Sequence, residues 1–259
     1  MSSRLKLSFG TIFRTVPLCA ALFLAACGSS NGVSRGLIYD PHEENNRGTH
    51  EFNKVVDRVL LSPASTGYGT VIPPEIRDRV GDFSDHLSLP NDVINNTLQG
   101  KLGGAGNSAA RFVINTVVGF GGFVDVASLF GMKRHDTDFG ETLHVWGAQE
   151  GAYVELPFLG PSTSRDTVGL LVDIVFDPFF VVLSEPTSYL SPTAYVINAM
   201  GDRYDYQDTV DSLLYESADS YAQARIIYLQ NRRFELGIES DDSEDGAGFD
   251  PYEDPYNDF

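Results

Sequence analysis

Residues 111–130 read RFVINTVVGFGGFVDVASLF, and from Phe112 to Val124 this stretch carries no charged side chain; Asp125 is the first carboxylate after it. A helix that crosses a bilayer needs ~20 apolar residues, whereas runs of ~10–14 make core, re-entrant or interfacial helices. Gly119, Gly121 and Gly122 sit in the middle, where they permit a sharp turn or a close backbone approach. Each glycine costs a plain helix about 1 kcal/mol relative to alanine, so three in four positions argue against one. The stretch therefore predicts a short apolar helix, a flexible turn over Gly119, Phe120, Gly121, Gly122 and Phe123, and a second short helix. By itself it fits a buried hairpin in a core and a non-spanning hairpin against lipid equally well.

A second stretch of the same character lies downstream. A helix predicted over 166–176 is apolar almost all round, which suits a deep core or lipid. Asp166, Asp173 and Asp177 recur at spacings of seven and four and stack on one face, where a carboxylate stripe is expected to meet water or a partner. Pro178 breaks the helix, and Phe179 to Leu183 continue apolar.

Working outward, apolar periodicity predicts helices over 43–61, 74–85 and 90–100, with Ser62-Pro63 ending the first and residues 68–71 forming an extended link. Gly103 to Gly106 read as a glycine linker. Residues 132–142 are charged, and 144–157 read as short strands or irregular chain around Trp146 and Tyr153, followed by a turn over 157–162. Amphipathic helices are predicted over 195–214 and 221–236, with a break near Ser217. Residues 237–259 are rich in acids, Gly and Pro, the composition of a disordered acidic tail.

At the other end, residues 1–26 carry Arg4, Lys6 and Arg14, no acid, and an apolar run ending in Leu24-Ala25-Ala26 ahead of Cys27. This is a cleaved export signal, and the cysteine after the small residues makes it resemble a bacterial lipoprotein signal with Cys27 as the lipidated first residue. Gly28 in place of an aspartate fits sorting to the outer membrane. Residues 27–38 are a flexible Gly/Ser/Asn tether. Cys19 leaves with the signal, so the mature chain has no disulfide and no cysteine metal site. The chain has net charge −18, and losing three cations with the signal takes it to about −21, which repels nucleic acid. It also leaves membrane attachment to acyl chains and apolar surface.

No catalytic or cofactor constellation emerges. His42, His50, His86, His135 and His144 lack metal-ligand spacing and are expected to be surface or hydrogen-bonded histidines. Gly119 to Gly122 lack the Lys-Ser/Thr of a phosphate loop, and there is no Gly-x-Ser-x-Gly elbow.

Several motifs in order are more specific. They are Asp40-Pro41-x-Glu43-x-x-Asn46-Arg47 with Phe52-Asn53, then Asn96-x-Leu98-Gln99-Gly100-Lys101, then Arg111-Phe112 with Asn115-Thr116 and Gly119-Phe120-Gly121-Gly122-Phe123-x-Asp125-Val126-Ala127. Asp138-Phe139-Gly140-x-Thr142-Leu143, Trp146-Gly147, Gly151-x-Tyr153-x-x-Leu156-Pro157-Phe158-Leu159-Gly160-Pro161-Ser162 and Arg165-Asp166 follow. Together they resemble the MlaA/VacJ family of outer-membrane phospholipid-transport lipoproteins over 39–236. The resemblance implies a mainly α, ring-like helical lipoprotein in the inner leaflet of the outer membrane, on its periplasmic side. Short non-spanning apolar hairpins would surround an amphipathic channel. It implies a non-enzymatic, cofactor-free protein whose partners are phospholipid, a trimeric outer-membrane porin and a soluble periplasmic lipid carrier. It would remove misplaced phospholipid from the outer leaflet; a structural envelope lipoprotein without transport activity is the alternative. Channel or gating candidates are then Phe52, Asn53, Asn115, Gly119 to Phe123, Asp125 and Asp173. Polar groups are costly against lipid tails, so Asn115, Asp125 and Asp173 are expected to face a cavity or one another.

Overall fold

The computed structural model describes residues 38–238. Cys27, the 1–26 leader, nearly all of the tether and the tail from 239 onward lie outside the described residues. Within them the protein is mainly α-helical, with a single two-stranded hairpin.

Helix α1 (Glu43–Val56) opens with Glu43 and Glu44 at the positive end of its dipole. The expected stop at Ser62-Pro63 does not occur. A π turn (Asp57–Leu61) carries the chain into α2 (Ser62–Val71), so residues 68–71, expected to be extended, are helical. The turn closes with Ser62 N–H on the Asp57 carbonyl, immediately ahead of Pro63, which has no N–H to offer an α ladder. The two helices expected over 74–85 and 90–100 are one, α3 (Pro74–Leu98), with Pro90 inside it. A proline costs an isolated helix about 3 kcal/mol, and burial of the leucine side chains Leu87 and Leu89 beside it offsets that cost.

The glycine run 103–106, expected as a linker, is the start of α4 (Leu102–Val117). A Cβ at Gly104 would stand 2.2 Å from the Asn96 side-chain oxygen, so the missing side chain lets α4 lie close on α3. After the glycine turn come α5 (Val126–Leu129) and α6 (Phe139–Val145), the latter running from the charged stretch 132–142 into the first two residues of the region expected as short strands or irregular chain. Strands β1 (Tyr153–Leu156) and β2 (Gly160–Thr163) pair antiparallel, with Tyr153 opposite Thr163 and Leu156 opposite Gly160. The turn expected over 157–162 is thus only the three residues 157–159, with Phe158 inside it and Gly160 at the start of β2 both at positive φ. Then follow α7 (Ser164–Val175), α8 (Pro178–Val182), α9 (Leu190–Asp205), α10 (Gln207–Asp211), a second π turn (Ser212–Glu216) and, beyond the break at Ser217, α11 (Ser220–Glu235). Helix α4 packs on α3, α9 on α2 and α3, and α6 on α7.

The distribution of side chains is inverted. Among the described residues eighteen buried side chains are polar or charged and nine are apolar. Meanwhile Val113, Val117, Phe120, Leu129 and Phe130 of the first hairpin, and Leu171, Ile174, Phe176, Phe180 and Val182 of the second, are exposed. A protein surrounded by water does the reverse, and large apolar side chains left exposed together on two units mark a surface that meets lipid or protein. No described helix is long and apolar enough to cross a membrane.

Candidate functional site

The first hairpin is tied by a polar knot on its inner side. Arg111 and Asn115 lie one turn apart on α4 and both reach Asp125, which caps α5. Arg111 Nη2 donates to Asp125 Oδ2 at 2.7 Å, and Asn115 Nδ2 donates to Asp125 Oδ1 at 2.8 Å. The Asn115 oxygen accepts from Ala127 N–H at 2.9 Å, while Arg111 also donates to Ser128 Oγ at 3.2 Å and to the Met132 carbonyl. Burial pushes the Asp125 carboxyl up, but hydrogen bonds from Ser128, Asn115 and Arg111 outweigh it and hold it below the usual carboxylate range. Asn115 and Asp125 therefore do face one another, with the apolar residues of the hairpin turned outward.

The turn itself has three different reasons for its glycines. A Cβ at Gly119 would lie 2.2 Å from the Val124 carbonyl oxygen; one at Gly122 would lie 2.3 Å from the His86 ring. Gly121 sits at φ +75° with open space around it, and Phe120 itself takes φ 53°. Backbone bonds from Gly121 N–H to Thr116, Gly122 N–H to Asn115 and Val124 N–H to Gly119 close the turn. Conformation and close packing thus account for all three glycines without calling on flexibility. Phe123 stacks on Phe83 at 4.4 Å. His86 stacks on Phe112 at 4.7 Å and meets the Thr116 hydroxyl at 3.2 Å, with its pKa lowered by burial.

In the second apolar unit the carboxylate stripe faces the protein, contrary to expectation. Asp173 accepts from Asn91 (3.0 Å), Asn95 (3.2 Å) and Phe139 N–H (2.9 Å), joining α7 to α3 and α6. Burial raises its pKa against these bonds. Asp166 accepts from Arg165, Arg232, Tyr228 and Thr163. Burial works against its ionised form, yet Arg165 and Arg232 lower it to about 2. Asp177 caps α8 through Phe180 N–H. The stripe binds helices together because the opposite face is the one left apolar.

Phe52 and Asn53 belong to a third arrangement. Asn46 and Asn53 are two turns apart on one face of α1, and each clamps the β hairpin. Asn46 donates to the Tyr153 carbonyl and accepts from Glu155 N–H, both at 3.1 Å. Asn53 donates to the Leu156 carbonyl at 2.9 Å and accepts from Phe158 N–H at 2.8 Å. Phe52 meets Phe158 edge to face at 5.2 Å.

Sequence reading missed one cluster because its members are 105 and 170 residues apart. His50 Nδ1 meets Glu155 Oε1 at 3.1 Å and His50 Nε2 meets Ser220 Oγ at 3.0 Å, all three buried. Tyr153 OH donates to the other Glu155 oxygen, and Lys54 Nζ reaches Ser220 Oγ at 3.3 Å. The connectivity is that of a serine–histidine–acid relay, but Ser220 is 7% exposed and lies in the first turn of α11. It pins α1, β1 and α11 together.

A family model described as MlaA lipoprotein matches residues 38–235. The chain belongs to the MlaA lipoprotein family. It is 34% identical over 215 residues to the intermembrane phospholipid transport system lipoprotein MlaA of Escherichia coli K12, covering 82% of this chain and 83% of that one. Against the MlaA of Haemophilus influenzae the identity is 32% over 224 residues, covering 85% and 88%. A solved structure bearing on the maintenance of bacterial outer membrane lipid asymmetry superposes with a TM-score of 0.66 at 28% identity, covering 76% of this chain and 98% of that one. The polar knot, the clamps of α1 and the Asp173 joint all lie within the stretch matched to MlaA.

Proposed function

We propose that this protein takes misplaced phospholipid out of the outer leaflet of the outer membrane through an amphipathic channel and passes it to a soluble periplasmic carrier, keeping that membrane asymmetric. One observation carries the reading: polar side chains are gathered inside while two non-spanning hairpins present apolar residues outward. Such a body can lie in one leaflet with its irregular backbone turned to a wet interior. The relatives named as phospholipid transport lipoproteins support the same reading. Attachment is through acyl chains on Cys27 to the inner leaflet, beside a trimeric porin, without enzymatic turnover of the lipid. Phe52, Asn53, Asn115, Gly119 to Phe123, Asp125 and Asp173 set the geometry around the lipid path.

Deletion of the gene and measurement of surface-exposed phospholipid test this. Accumulation in the outer leaflet, restored by the wild-type chain, is the expected result. Unchanged surface phospholipid would leave the structural-lipoprotein alternative standing.

A further inference from the structure

A cavity of about 360 Å³ opens between α1, the β hairpin turn, the second π turn and α11. No residue of the glycine hairpin lines it. Its size lies at the low end of small-molecule pockets, which are mostly apolar with a few placed polar groups. Val56, Leu61, Leu213, Leu214, Ala224 and Ile227 form apolar walls, with Phe158 and Leu159 at the rim.

The polar groups that reach the cavity are nearly all engaged within the protein. Asn53 holds the β turn; Asp57 takes two bonds from Arg203, at 2.8 and 2.9 Å, and one from Tyr215 at 2.7 Å; Glu155 is held by His50 and Tyr153. Lys54 differs. Its ammonium pairs at 3.0 Å with the exposed Glu51 and at 3.3 Å with Ser220 Oγ. The Lys54 side chain is 19% exposed and that of Glu51 67%, so water competes for the pair from the Glu51 side and an anion arriving there can replace that carboxylate. The site thus offers one apolar chamber and, in its wall, one cation whose carboxylate partner Glu51 is not part of the lining.

From this geometry we infer that the cavity holds a single-chain anionic amphiphile, its hydrocarbon chain between the second π turn and α11 and its carboxylate or phosphate on Lys54. The ligand class is a free fatty acid or a lysophospholipid, sharing one chain and one anionic head. The inference rests on the lipid-handling reading only for the source of that amphiphile. The chamber is too small for two chains of a diacyl lipid, so it is a side pocket where a lipid that has lost a chain is retained.

The test uses the full-length lipidated protein in phosphatidylcholine nanodiscs with diazirine-bearing palmitic acid and, separately, diazirine-bearing lysophosphatidylglycerol, adducts being mapped by mass spectrometry. Expected adducts fall on peptides carrying Leu213, Leu214 or Ile227. Lys54→Met should lower labelling at least tenfold. Ile227→Trp, at a half-exposed position that tolerates bulk, should abolish it while the circular dichroism stays unchanged. The arm that labels at lower probe concentration identifies the head group. Labelling confined to the exposed hairpin residues 113–130, or equal labelling of wild type and Ile227→Trp, would overturn the inference. Surface phospholipid measured in cells carrying Ile227→Trp reports separately on transport, so failure of the pocket and failure of the transport reading give different results.

Discussion

Arg111 has a side chain only 3% exposed, and its ion-pair partner is Asp125. Removing one member of a buried pair typically costs 3–5 kcal/mol because the other is left uncompensated. Water reaches Asp125, so Asp125→Ala should destabilise the protein by about 3 kcal/mol in urea unfolding. The double change Arg111→Met with Asp125→Leu should recover much of that; a double variant as unstable as Asp125→Ala would show that Asn115 and Ser128 carry the knot instead. Asp92 shows the opposite situation. It is buried, takes only a 3.4 Å contact from Thr137 N–H, and its Oδ2 has no partner among the described residues. Burial pushes its pKa up to about 7, with Arg134 only partly opposing. Between about pH 4 and 7 the folded protein holds a proton that the unfolded chain has released, so this group's contribution to stability falls as pH rises through that window. Asp92→Asn should therefore stabilise on the order of 2–4 kcal/mol at pH 8 and hardly at all at pH 4. An equal gain at both pH values would remove titration as the cause.

At the scale of elements, the glycine turn separates three effects that sequence cannot. Gly121→Ala meets no neighbour and pays only for its positive φ, about 1 kcal/mol, and Gly121→Asn, which enters that region more readily, less. Gly119→Ala drives a methyl into the Val124 carbonyl and must unseat the turn, so its steady-state level should drop well below that of Gly121→Ala in immunoblots of membrane fractions. The hairpin and its apolar face were legible in residues 111–130 because both are local. So were the starts of α1, α7 and α11. What was not legible depends on distant partners: Gly103 to Gly106 read as a linker because nothing local shows that Asn96 fills the space of a side chain. Pro63 and Pro90 read as stops because their compensation is a π turn and a packed neighbourhood. The stripe of Asp166, Asp173 and Asp177 read as meeting water or a partner because the residues that bond it, Asn91, Asn95 and Arg232 among them, are distant in sequence. Phe52-Asn53 was legible as a motif but not as a clamp. Deleting the pair removes the Asn53 bonds to the β turn and rotates the following residues by about 200° on a 3.6-residue helix. The expected phenotype is phospholipid in the outer leaflet out of proportion to any loss of protein. Asn53→Ala, which keeps the register and loses two hydrogen bonds, should cost roughly 1–3 kcal/mol and give a milder leak. Wild-type surface phospholipid in the deletion would count against the clamp.

For the molecule as a whole, the exposed hairpins predict that membrane association is a property of the folded body as well as of acyl chains on Cys27. One acyl chain binds a bilayer only marginally, and stable attachment takes further signals. The body's strongly acidic balance supplies no electrostatic one, so any signal it adds must be apolar. Phe120 is 82% exposed, and Leu129 and Phe130 of the same hairpin are exposed too. A full chain carrying Cys27→Ser should no longer incorporate radiolabelled fatty acid, and persistent incorporation would place the lipid elsewhere. A chain without residues 1–27, lacking both the apolar leader and the acylated cysteine, should still float with neutral phosphatidylcholine vesicles, and raised salt should not release it, because no charge attraction is involved. Adding Phe120→Glu, Leu129→Glu and Phe130→Glu should bring it into the soluble fraction, since each carboxylate would have to leave water to follow the hairpin into the leaflet. These positions are exposed, so circular dichroism and the urea midpoint should match the parent. If the triple variant floats as well as the parent, the first hairpin does not enter lipid, and its apolar face is covered by protein.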